Sequence, residues 1–142
     1  MEKIIQAGNL TKVYGEKETS VTALDNIDVQ FNENEFTAIM GPSGSGKSTL
    51  LHCLAGLDRP TSGQILLKDQ DISTLNDKQL TKIRRDSFGF VFQAFNLIPT
   101  LTAEENITLP ASIAGRKPDM DWIKQVVELS LIHISEPTRL ES

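Results

Sequence analysis

The sequence is poor in the residues that mark secreted, membrane-spanning and nucleic-acid-binding proteins. Its one cysteine, Cys53, excludes an internal disulfide and is typical of a protein from a reducing compartment. No apolar run approaches the roughly 18 residues that a membrane-spanning helix needs, and no charged-then-apolar leader begins the chain. The net charge of -5 argues against a nucleic-acid-binding surface. We therefore expect a soluble chain for which a partner would make any link to a membrane.

The most informative stretch is the phosphate loop, residues 40–49, which reads MGPSGSGKST and fits the pattern G-x-x-x-x-G-K-S/T. Glycines allow positive φ and a close approach to a ligand, so backbone N–H groups can converge on phosphate oxygens. The following helix adds its free N–H groups and the positive end of its dipole. Lys47 is expected to contact the β- and γ-phosphates, and the Ser48 hydroxyl to bind Mg²⁺. The predicted nucleotide-binding residues of the loop are Gly41, Ser43, Gly44, Ser45, Gly46, Lys47, Ser48 and Thr49.

The segments on either side of the loop favour the same interpretation. Residues 36–40, FTAIM, predict a short buried strand that leads into the loop. After the loop, Leu50, Leu51 and Leu54 are expected on one face of a helix, and Gly56 is placed to end it. Strand, glycine loop and helix form the context in which this pattern binds nucleotide phosphates. The alternative is a glycine-rich turn without a ligand.

The rest of the chain predicts an α/β fold. Further strands are expected over residues 4–13, 27–31, 64–67 and 88–92, because these segments are apolar or alternate between apolar and polar residues. The N-terminal third is therefore rich in β-structure and is expected to be antiparallel in part. From residue 36 onward strands alternate with helices, which favours a largely parallel sheet.

Three more helices are predicted after the one that follows the phosphate loop. The first two begin at Asn76 and Thr102, each followed three residues later by Gln or Glu, as in a capping box. Pro110 is expected to end the second of these helices, because proline lacks the N–H that a helix interior uses. Apolar residues at helical spacing predict the third helix after Pro118.

Taken together, these motifs resemble the ATP-binding subunit of an ABC transporter over residues 10–128. LTKVYG resembles the family's opening strand, GPSGSGKST its phosphate loop, LLHCLAGLDRPTSGQILL the segment after that loop, and FGFVFQAFNLIPTLTAEENI the segment around its Q-loop. The resemblance implies an ABC-type P-loop NTPase fold with an N-terminal antiparallel β subdomain. IRRDSFGFVFQAFNL, together with the long stretch between Val13 and Val21, resembles the macrolide-exporter and lipoprotein-releasing group.

The resemblance implies roles for individual residues. Tyr14 would stack on the adenine of ATP; the alternative is a surface aromatic. Gln93 would contact Mg²⁺ and the attacking water, and would report γ-phosphate occupancy to the membrane subunit; the alternative is the solvated end of a strand. Lys47 and Gln93 would then be the catalytic residues, and Ser48 and Gln93 the residues at the metal.

The resemblance also implies partners. Two full-length subunits would form a homodimer around two ATP molecules and would drive an integral-membrane permease from the cytoplasmic face of the membrane. Residues 94–101 would lie against a coupling helix of that permease. Phe95, Leu97 and Ile98 form a tight apolar group within this segment, and the group belongs either to the core or to the docking surface. Export of a hydrophobic compound, peptide or lipoprotein is expected rather than nutrient import.

The later motifs of the family are not found in this sequence. There is no LSGGQ-like signature, and LIHISEPT at residues 131–138 only resembles the apolar strand that ends in Asp-Glu. Ser135 stands where the metal-binding Asp belongs, so we reject Glu136 as the catalytic base and His133 as the switch histidine. LSLIHISEPTR matches the translation of a common transposase sequencing adapter. We therefore interpret residues 1–128 as the N-terminal portion of an ATP-binding domain and residues 129–142 as a non-native tail.

This interpretation predicts an incomplete parallel-sheet core. A strand that belongs beside the phosphate-loop strand would be absent, and open strand edges would remain. We therefore expect the chain to be poorly stable, to bind nucleotide weakly and not to hydrolyse ATP. The alternatives are a transport ATPase whose gene continues beyond codon 128, a nucleotide-binding fragment without hydrolysis, and a different P-loop enzyme such as a kinase. The opening strand and the segment around Gln93 argue against the kinase.

Overall fold

The computed structural model of the chain describes residues 2–94 and 96–131. The chain divides into two compact units, Met1–Phe88 and Gly89–Ser142. The first unit contains a β-sheet and two α-helices, and the described part of the second contains two α-helices. None of the helices in the described residues combines the length and the apolar character that crossing a bilayer requires.

The sheet of the first unit has four strands in the order β2-β1-β3-β4. Strands β1 (Lys3–Tyr14) and β2 (Val21–Asn32) form a long antiparallel hairpin that is joined through a 3₁₀ turn at Lys17–Thr19. Strand β3 (Ser62–Leu67) pairs antiparallel with the other edge of β1, and the short β4 (Gln70–Asp71) pairs antiparallel with β3. The antiparallel N-terminal sheet predicted from the sequence is confirmed.

The helices of the described residues begin close to their predicted positions. In the first unit, α1 (Lys47–Leu54) precedes β3 and α2 (Asp77–Ser87) follows β4; the second unit contains α3 (Ala103–Ile113) and α4 (Met120–Leu131). Helix α1 ends as predicted at Gly56, which has φ 65°. The N–H of Gly56 and that of the next residue bond back to carbonyls of the last turn at 3.0 Å and 2.8 Å, as in a Schellman motif.

Both predicted capping boxes are present. The side chains of Asn76 and Thr102 accept hydrogen bonds from the third residue of their helices, and the Gln or Glu at that position reciprocates. The expectation that Pro110 ends α3 is wrong, because the helix continues to Ile113. In the last turn the ring removes one backbone hydrogen bond, and the Pro110 carbonyl still accepts from the N–H of Ala114 at 3.1 Å.

The core of the first unit joins one face of the sheet to helices α1 and α2. Leu10 of β1 and Ile65 of β3 are almost fully buried, and each such burial contributes roughly 1.5–3 kcal/mol. Leu51 is 46% exposed, whereas Leu54, which was predicted on the same face of the helix, is buried. The core fixes α1, and thereby the phosphate loop, against the sheet. Its buried residues are Ile5, Ala7, Leu10, Leu24, Cys53, Leu54, Ile65, Ile72 and Leu80.

Two predicted strands are not formed in the described residues. Residues 36–40 and 88–92 pair with no strand there, and the pairings that do form are antiparallel, so the prediction of a largely parallel sheet is wrong for this part of the chain. Phe36, Met40 and Val91 are 96%, 89% and 99% exposed. A strand needs a neighbouring segment for its backbone N–H and C=O groups, and near-continuous apolar strands also need cover on both faces. Among residues 2–94 and 96–131, no neighbouring strand pairs with either segment.

Candidate functional site

The phosphate loop leads directly into α1. Gly41, Gly44 and Gly46 have φ of 159°, 78° and 86°, and the last two lie in the left-handed region that favours glycine. Gly46 is the N-cap of α1, and its carbonyl accepts the first helical hydrogen bond from the N–H of Leu50 at 2.8 Å. The first turn of the helix therefore starts at Lys47, as the sequence pattern predicts.

The loop leaves room for a ligand at its tip and none for side chains at its ends. A Cβ atom at Gly41 would lie 2.7 Å from Ser45 Oγ, and one at Gly46 would lie 2.5 Å from the carbonyl oxygen of Ala23. At Gly44, by contrast, a Cβ atom would meet nothing within 4 Å. The bare backbone at Gly44 therefore faces open space, which fits a loop whose N–H groups bind phosphate oxygens.

The loop curves around the ammonium group of Lys47. Its Nζ donates hydrogen bonds to the carbonyl oxygens of Gly41 at 2.8 Å and Pro42 at 2.7 Å, and to Ser45 Oγ at 3.3 Å. These contacts hold a positive charge at the N-terminal end of α1, next to the positive end of the helix dipole. Both charges favour an anion at this point.

Helix α1 differs from the other helices in having no side-chain cap. Helices α2 and α3 carry capping boxes, and Asp119 Oδ1 accepts from the N–H of Trp122 at 3.0 Å at the start of α4. The first turn of α1 has neither a side-chain cap nor an acidic residue. Its N–H groups are therefore available to an external acceptor, and no carboxylate repels an anion there. The local geometry fits the phosphates of a nucleotide.

Tyr14 lies at the end of β1 and is 41% exposed. Its hydroxyl donates a hydrogen bond to Asp58 Oδ2 at 2.7 Å. This bond and burial raise the pKa of the Tyr14 hydroxyl, while the nearby side chain of Thr49 acts in the opposite direction. The structure thus brings Tyr14 into the neighbourhood of the first turn of α1, to which Thr49 belongs.

Sequence reasoning missed two residues around Tyr14. Lys12 Nζ forms an ion pair with Asp58 Oδ1 at 2.7 Å and lies 4.8 Å from the centre of the Tyr14 ring. Burial acts to raise the pKa of the Asp58 carboxyl, but the hydrogen bonds from Lys12 and Tyr14 outweigh it and hold the pKa below its usual range. No sequence pattern links residues 44 positions apart, so only the fold could reveal this contact.

The predicted metal-binding residues lie in different units. Ser48 is exposed in the first turn of α1, in the first unit, and Gln93 is exposed at a bend in the second. Among residues 2–94 and 96–131, no group of three or more His, Cys, Asp and Glu side chains could hold a metal ion. A hydroxyl in the first turn of an anion-binding helix fits Mg²⁺ that is held jointly with phosphate oxygens.

The apolar group after Gln93 is exposed where the structure describes it. Leu97 is 65% and Ile98 42% exposed, so neither belongs to a core, and Phe95 lies outside the described residues. The position of Ile98 is held by Asn106, whose side chain accepts from the N–H of Ile98 at 2.8 Å and donates to its carbonyl at 3.2 Å. Sequence reasoning missed Asn106. His133, Ser135 and Glu136, from the segment that resembles the family's Asp-Glu strand, also lie outside the described residues.

Comparisons with known proteins agree with this geometry. The family model described as ABC transporter matches residues 24–140. The chain is 48% identical over 115 residues to the macrolide export ATP-binding/permease protein MacB of Marinobacter nauticus, and 47% identical over 116 residues to the lipoprotein-releasing system ATP-binding protein LolD of Cytophaga hutchinsonii. These alignments cover 81% and 82% of this chain, but 18% of MacB and 51% of LolD.

A third similar protein has a solved structure. The chain is 51% identical over 107 residues to the ABC transporter ATP-binding protein MJ0796 of Methanocaldococcus jannaschii, which covers 75% of this chain and 46% of that protein. The dimeric post-hydrolysis structure of the MJ0796 cassette, bound to ADP and Pi, matches with a TM-score of 0.77 at 45% identity, over 87% of this chain and 54% of that one. The chain thus spans about half the length of MJ0796 and LolD. It belongs to the ABC transporter family, as part of an ATP-binding domain.

Proposed function

We propose that this chain binds ATP at the phosphate loop and that the whole protein hydrolyses ATP to power a membrane permease. The observation that carries the proposal is the N-terminus of α1, which follows a glycine loop and has neither a side-chain cap nor an acidic residue. Backbone N–H groups, the helix dipole and Lys47 then act together on the phosphates. The similar MJ0796 cassette, whose structure contains ADP and Pi, supports the same ligand class.

Each predicted site residue has a role in this proposal. The backbone of residues 41–49 binds the phosphates, Lys47 neutralises their charge, and Tyr14 stacks on the base. Ser48 and Gln93 hold Mg²⁺, and Gln93 also orients the attacking water. Mg²⁺, when bound, neutralises charge on the β- and γ-phosphates. Lys47 and Gln93 are the proposed catalytic residues, because phosphoryl transfer depends on positioning and on electrostatic stabilisation of developing charge.

The proposed partners follow from the relatives. We infer that the full-length protein forms a homodimer and acts with a permease at the cytoplasmic face of the membrane, since the MJ0796 structure is dimeric and MacB is named an ATP-binding/permease protein. Residues 94–101 are the proposed permease-docking segment, with Leu97 and Ile98 exposed as docking requires. Export is the proposed direction, with a hydrophobic compound, peptide or lipoprotein as cargo.

Residues 1–128 are proposed to be the N-terminal portion of the ATP-binding domain, and residues 129–142 a translated sequencing adapter. Long reads across codons 120–150 of the gene test this assignment directly. We expect the reading frame to continue beyond codon 128 into a signature motif and an Asp-Glu strand. A genomic sequence that encodes LSLIHISEPTRLES followed by a stop codon would contradict it.

The binding proposal is tested with the 142-residue chain and two lysine variants. Lys47→Met removes the charge at the loop, whereas Lys82→Met removes one from an exposed position on α2. A hydrogen bond to a charged group contributes roughly 1.5–3 kcal/mol, so Lys47→Met should weaken the binding of ATP and of inorganic tripolyphosphate about 10- to 100-fold. Lys82→Met should leave both affinities unchanged. Isothermal titration calorimetry measures them.

The thermal unfolding midpoint of each variant separates lost binding from lost folding. If the wild-type chain is folded and binds neither ATP nor tripolyphosphate, the proposed function is wrong. Equal affinities in Lys47→Met and the wild-type chain would instead remove Lys47 from the site.

A further inference from the structure

Three side chains from two distant parts of the chain form one bonded cluster, which we name the Tyr14 cluster: Lys12, Tyr14 and Asp58. The two oxygens of Asp58 are divided between its partners, with Oδ1 accepting from Lys12 Nζ and Oδ2 from the Tyr14 hydroxyl, both at 2.7 Å. Lys12 Nζ also donates to the carbonyl oxygen of Arg59 at 2.7 Å. The cluster therefore ties the end of β1 to the turn that follows α1.

The Tyr14 ring is held at two independent points. Its hydroxyl is bonded to Asp58, and the Lys12 ammonium lies over the ring, 4.8 Å from the centre, at the distance of a cation–π contact. The Lys12 side chain is itself only 12% exposed, so the residues around it restrict its motion. Two contacts in different directions restrain the orientation of the ring, while the residue remains 41% exposed.

Holding the ring in advance matters for binding. A side chain that must be immobilised when its ligand arrives reduces the affinity, and a side chain that is already fixed avoids this cost. Aromatic stacking also depends on ring orientation, because offset and edge-on arrangements differ in energy. Arg59 contributes only its backbone carbonyl to Lys12, so side-chain substitutions at Asp58 and Tyr14 can test the other bonds of the cluster.

We propose that Asp58 and Lys12 are positioning residues for the base of a purine nucleoside triphosphate, which they serve by fixing the Tyr14 ring in its stacking orientation. This inference rests on the proposed nucleotide-binding function. It assigns the two residues to the base and not to the phosphates. Their loss should therefore weaken the binding of ATP and leave the binding of a ligand that has phosphates but no base unchanged.

The test compares ATP with inorganic tripolyphosphate in the 142-residue chain. Asp58→Ala and Tyr14→Phe should each lower the affinity for ATP about 3- to 10-fold, the effect of freeing one side chain. The double variant should be no weaker than Asp58→Ala alone, because Asp58→Ala has already removed the hydrogen bond that Tyr14→Phe removes. The affinity for tripolyphosphate should stay within about twofold of the wild-type value in every variant.

Asp71→Ala is the matched control. Asp71 also accepts side-chain hydrogen bonds, from Ser73 and Gln64, but it lies at the β4 end of the sheet. Its loss should leave both affinities unchanged. Tyr14 is the single tyrosine of the chain, so its NMR ring signals are unambiguous. These signals should shift when ATP is added, should not shift with tripolyphosphate, and should shift less in Asp58→Ala.

Each other outcome overturns the inference at a defined step. If Asp58→Ala weakens ATP and tripolyphosphate equally, the residue acts through the phosphate loop or the fold. If ATP affinity is unchanged, or if the effects of Asp58→Ala and Tyr14→Phe simply add, the hydrogen bond has no positioning role. If wild-type chain binds tripolyphosphate and the Tyr14 signals do not respond to ATP, Tyr14 does not meet the base. Loss of tripolyphosphate binding in the wild-type chain instead overturns the proposed function itself.

Discussion

Gly46 packs against the backbone of Ala23 so closely that no side chain fits between them. A Cβ atom at Gly46 would lie 2.5 Å from the carbonyl oxygen of Ala23, which belongs to β2. Gly46 also has φ 86° and is the N-cap of α1. Space and backbone conformation therefore both require glycine where the phosphate loop meets the sheet, and the two constraints can be separated by substitution.

Alanine substitutions at three glycines should separate these constraints. Gly46→Ala combines a left-handed φ with a clash and should lower the free energy of unfolding by about 3 kcal/mol or more. Gly44→Ala has φ 78° but open space, and should cost about 1–2 kcal/mol. Gly8 has no positive φ and its Cβ would meet only Asp28 Oδ1 at 3.8 Å, so Gly8→Ala should change stability by less than about 0.5 kcal/mol. Urea denaturation measures all three, and a Gly46→Ala chain as stable as Gly44→Ala would contradict the clash.

Asn106 should control the order of the segment before α3. Besides its two bonds to Ile98, its Nδ2 donates to the carbonyl oxygens of Leu101 at 3.2 Å and Thr102 at 2.9 Å. Asn106→Ala removes all four of these bonds, each of which contributes roughly 0.5–1.5 kcal/mol at most. Hydrogen exchange at the Ile98 amide should then accelerate about 10-fold or more. Thr108→Ala, which removes the hydroxyl contacts with the carbonyl oxygens of Glu104 and Glu105 within α3, is the control and should leave that amide unchanged.

Unchanged exchange at Ile98 in Asn106→Ala would show that other contacts hold this segment. Ile98 lies in the proposed permease-docking segment. Asn106→Ala therefore tests whether docking needs this segment to be ordered, and a second variant tests whether it needs the apolar side chain. Ile98→Ser removes the exposed apolar side chain and keeps the backbone bonds to Asn106. If docking depends on both, each variant should reduce ATP hydrolysis that is stimulated by the permease in the full-length protein.

The contribution of Asp58 to stability should disappear in acid. The pKa of the Asp58 carboxyl is lowered in the folded chain, so its stabilising effect is present above the unfolded value of about 3.9 and is lost as pH falls through the lower folded value. Compared with Asp58→Asn, the wild-type chain should be about 1 kcal/mol more stable at pH 7. The difference should shrink toward zero near pH 2. Urea denaturation at several pH values measures it, and a difference that is independent of pH would contradict the role of the carboxylate charge.

The exposed apolar side chains of residues 36–40 should make the chain associate. Phe36→Ser and Met40→Ser together should reduce the binding of the dye ANS and the concentration-dependent aggregation, because these side chains are almost fully exposed. The two substitutions should change the free energy of unfolding by no more than about 0.5 kcal/mol. Ile65→Ala, in the core, should instead cost about 2–5 kcal/mol and increase ANS binding. A double Ser variant that binds as much ANS as the wild-type chain would show that the dye-binding surface lies elsewhere.

Local signals in the sequence were sufficient wherever a structure depends on a few neighbouring residues. The phosphate loop, the capping boxes at Asn76 and Thr102 and the helix stop at Gly56 involve contacts within about five positions, so the pattern itself contains all the partners. Strand β1 was found because residues 4–13 have the apolar composition of a strand, and β2 because residues 27–31 alternate between apolar and polar side chains. Pro110 was misplaced because proline alone does not determine a helix end when the remaining turn closes around it.

The sequence by itself determined the family and the loop proposed to bind phosphates, because their residue types and spacing are specific. Only the tertiary structure decided which apolar segments pair, since strand formation in residues 36–40 and 88–92 depends on neighbours that local sequence does not specify. The contacts of Asp58 with Lys12 and Tyr14 were likewise visible only in the tertiary structure. They join residues 46 and 44 positions apart, so they form only when α1 and the strands have folded. The proposed phosphate-binding residues were therefore identified from the sequence, whereas the proposed base-positioning residues were identified only from the tertiary structure.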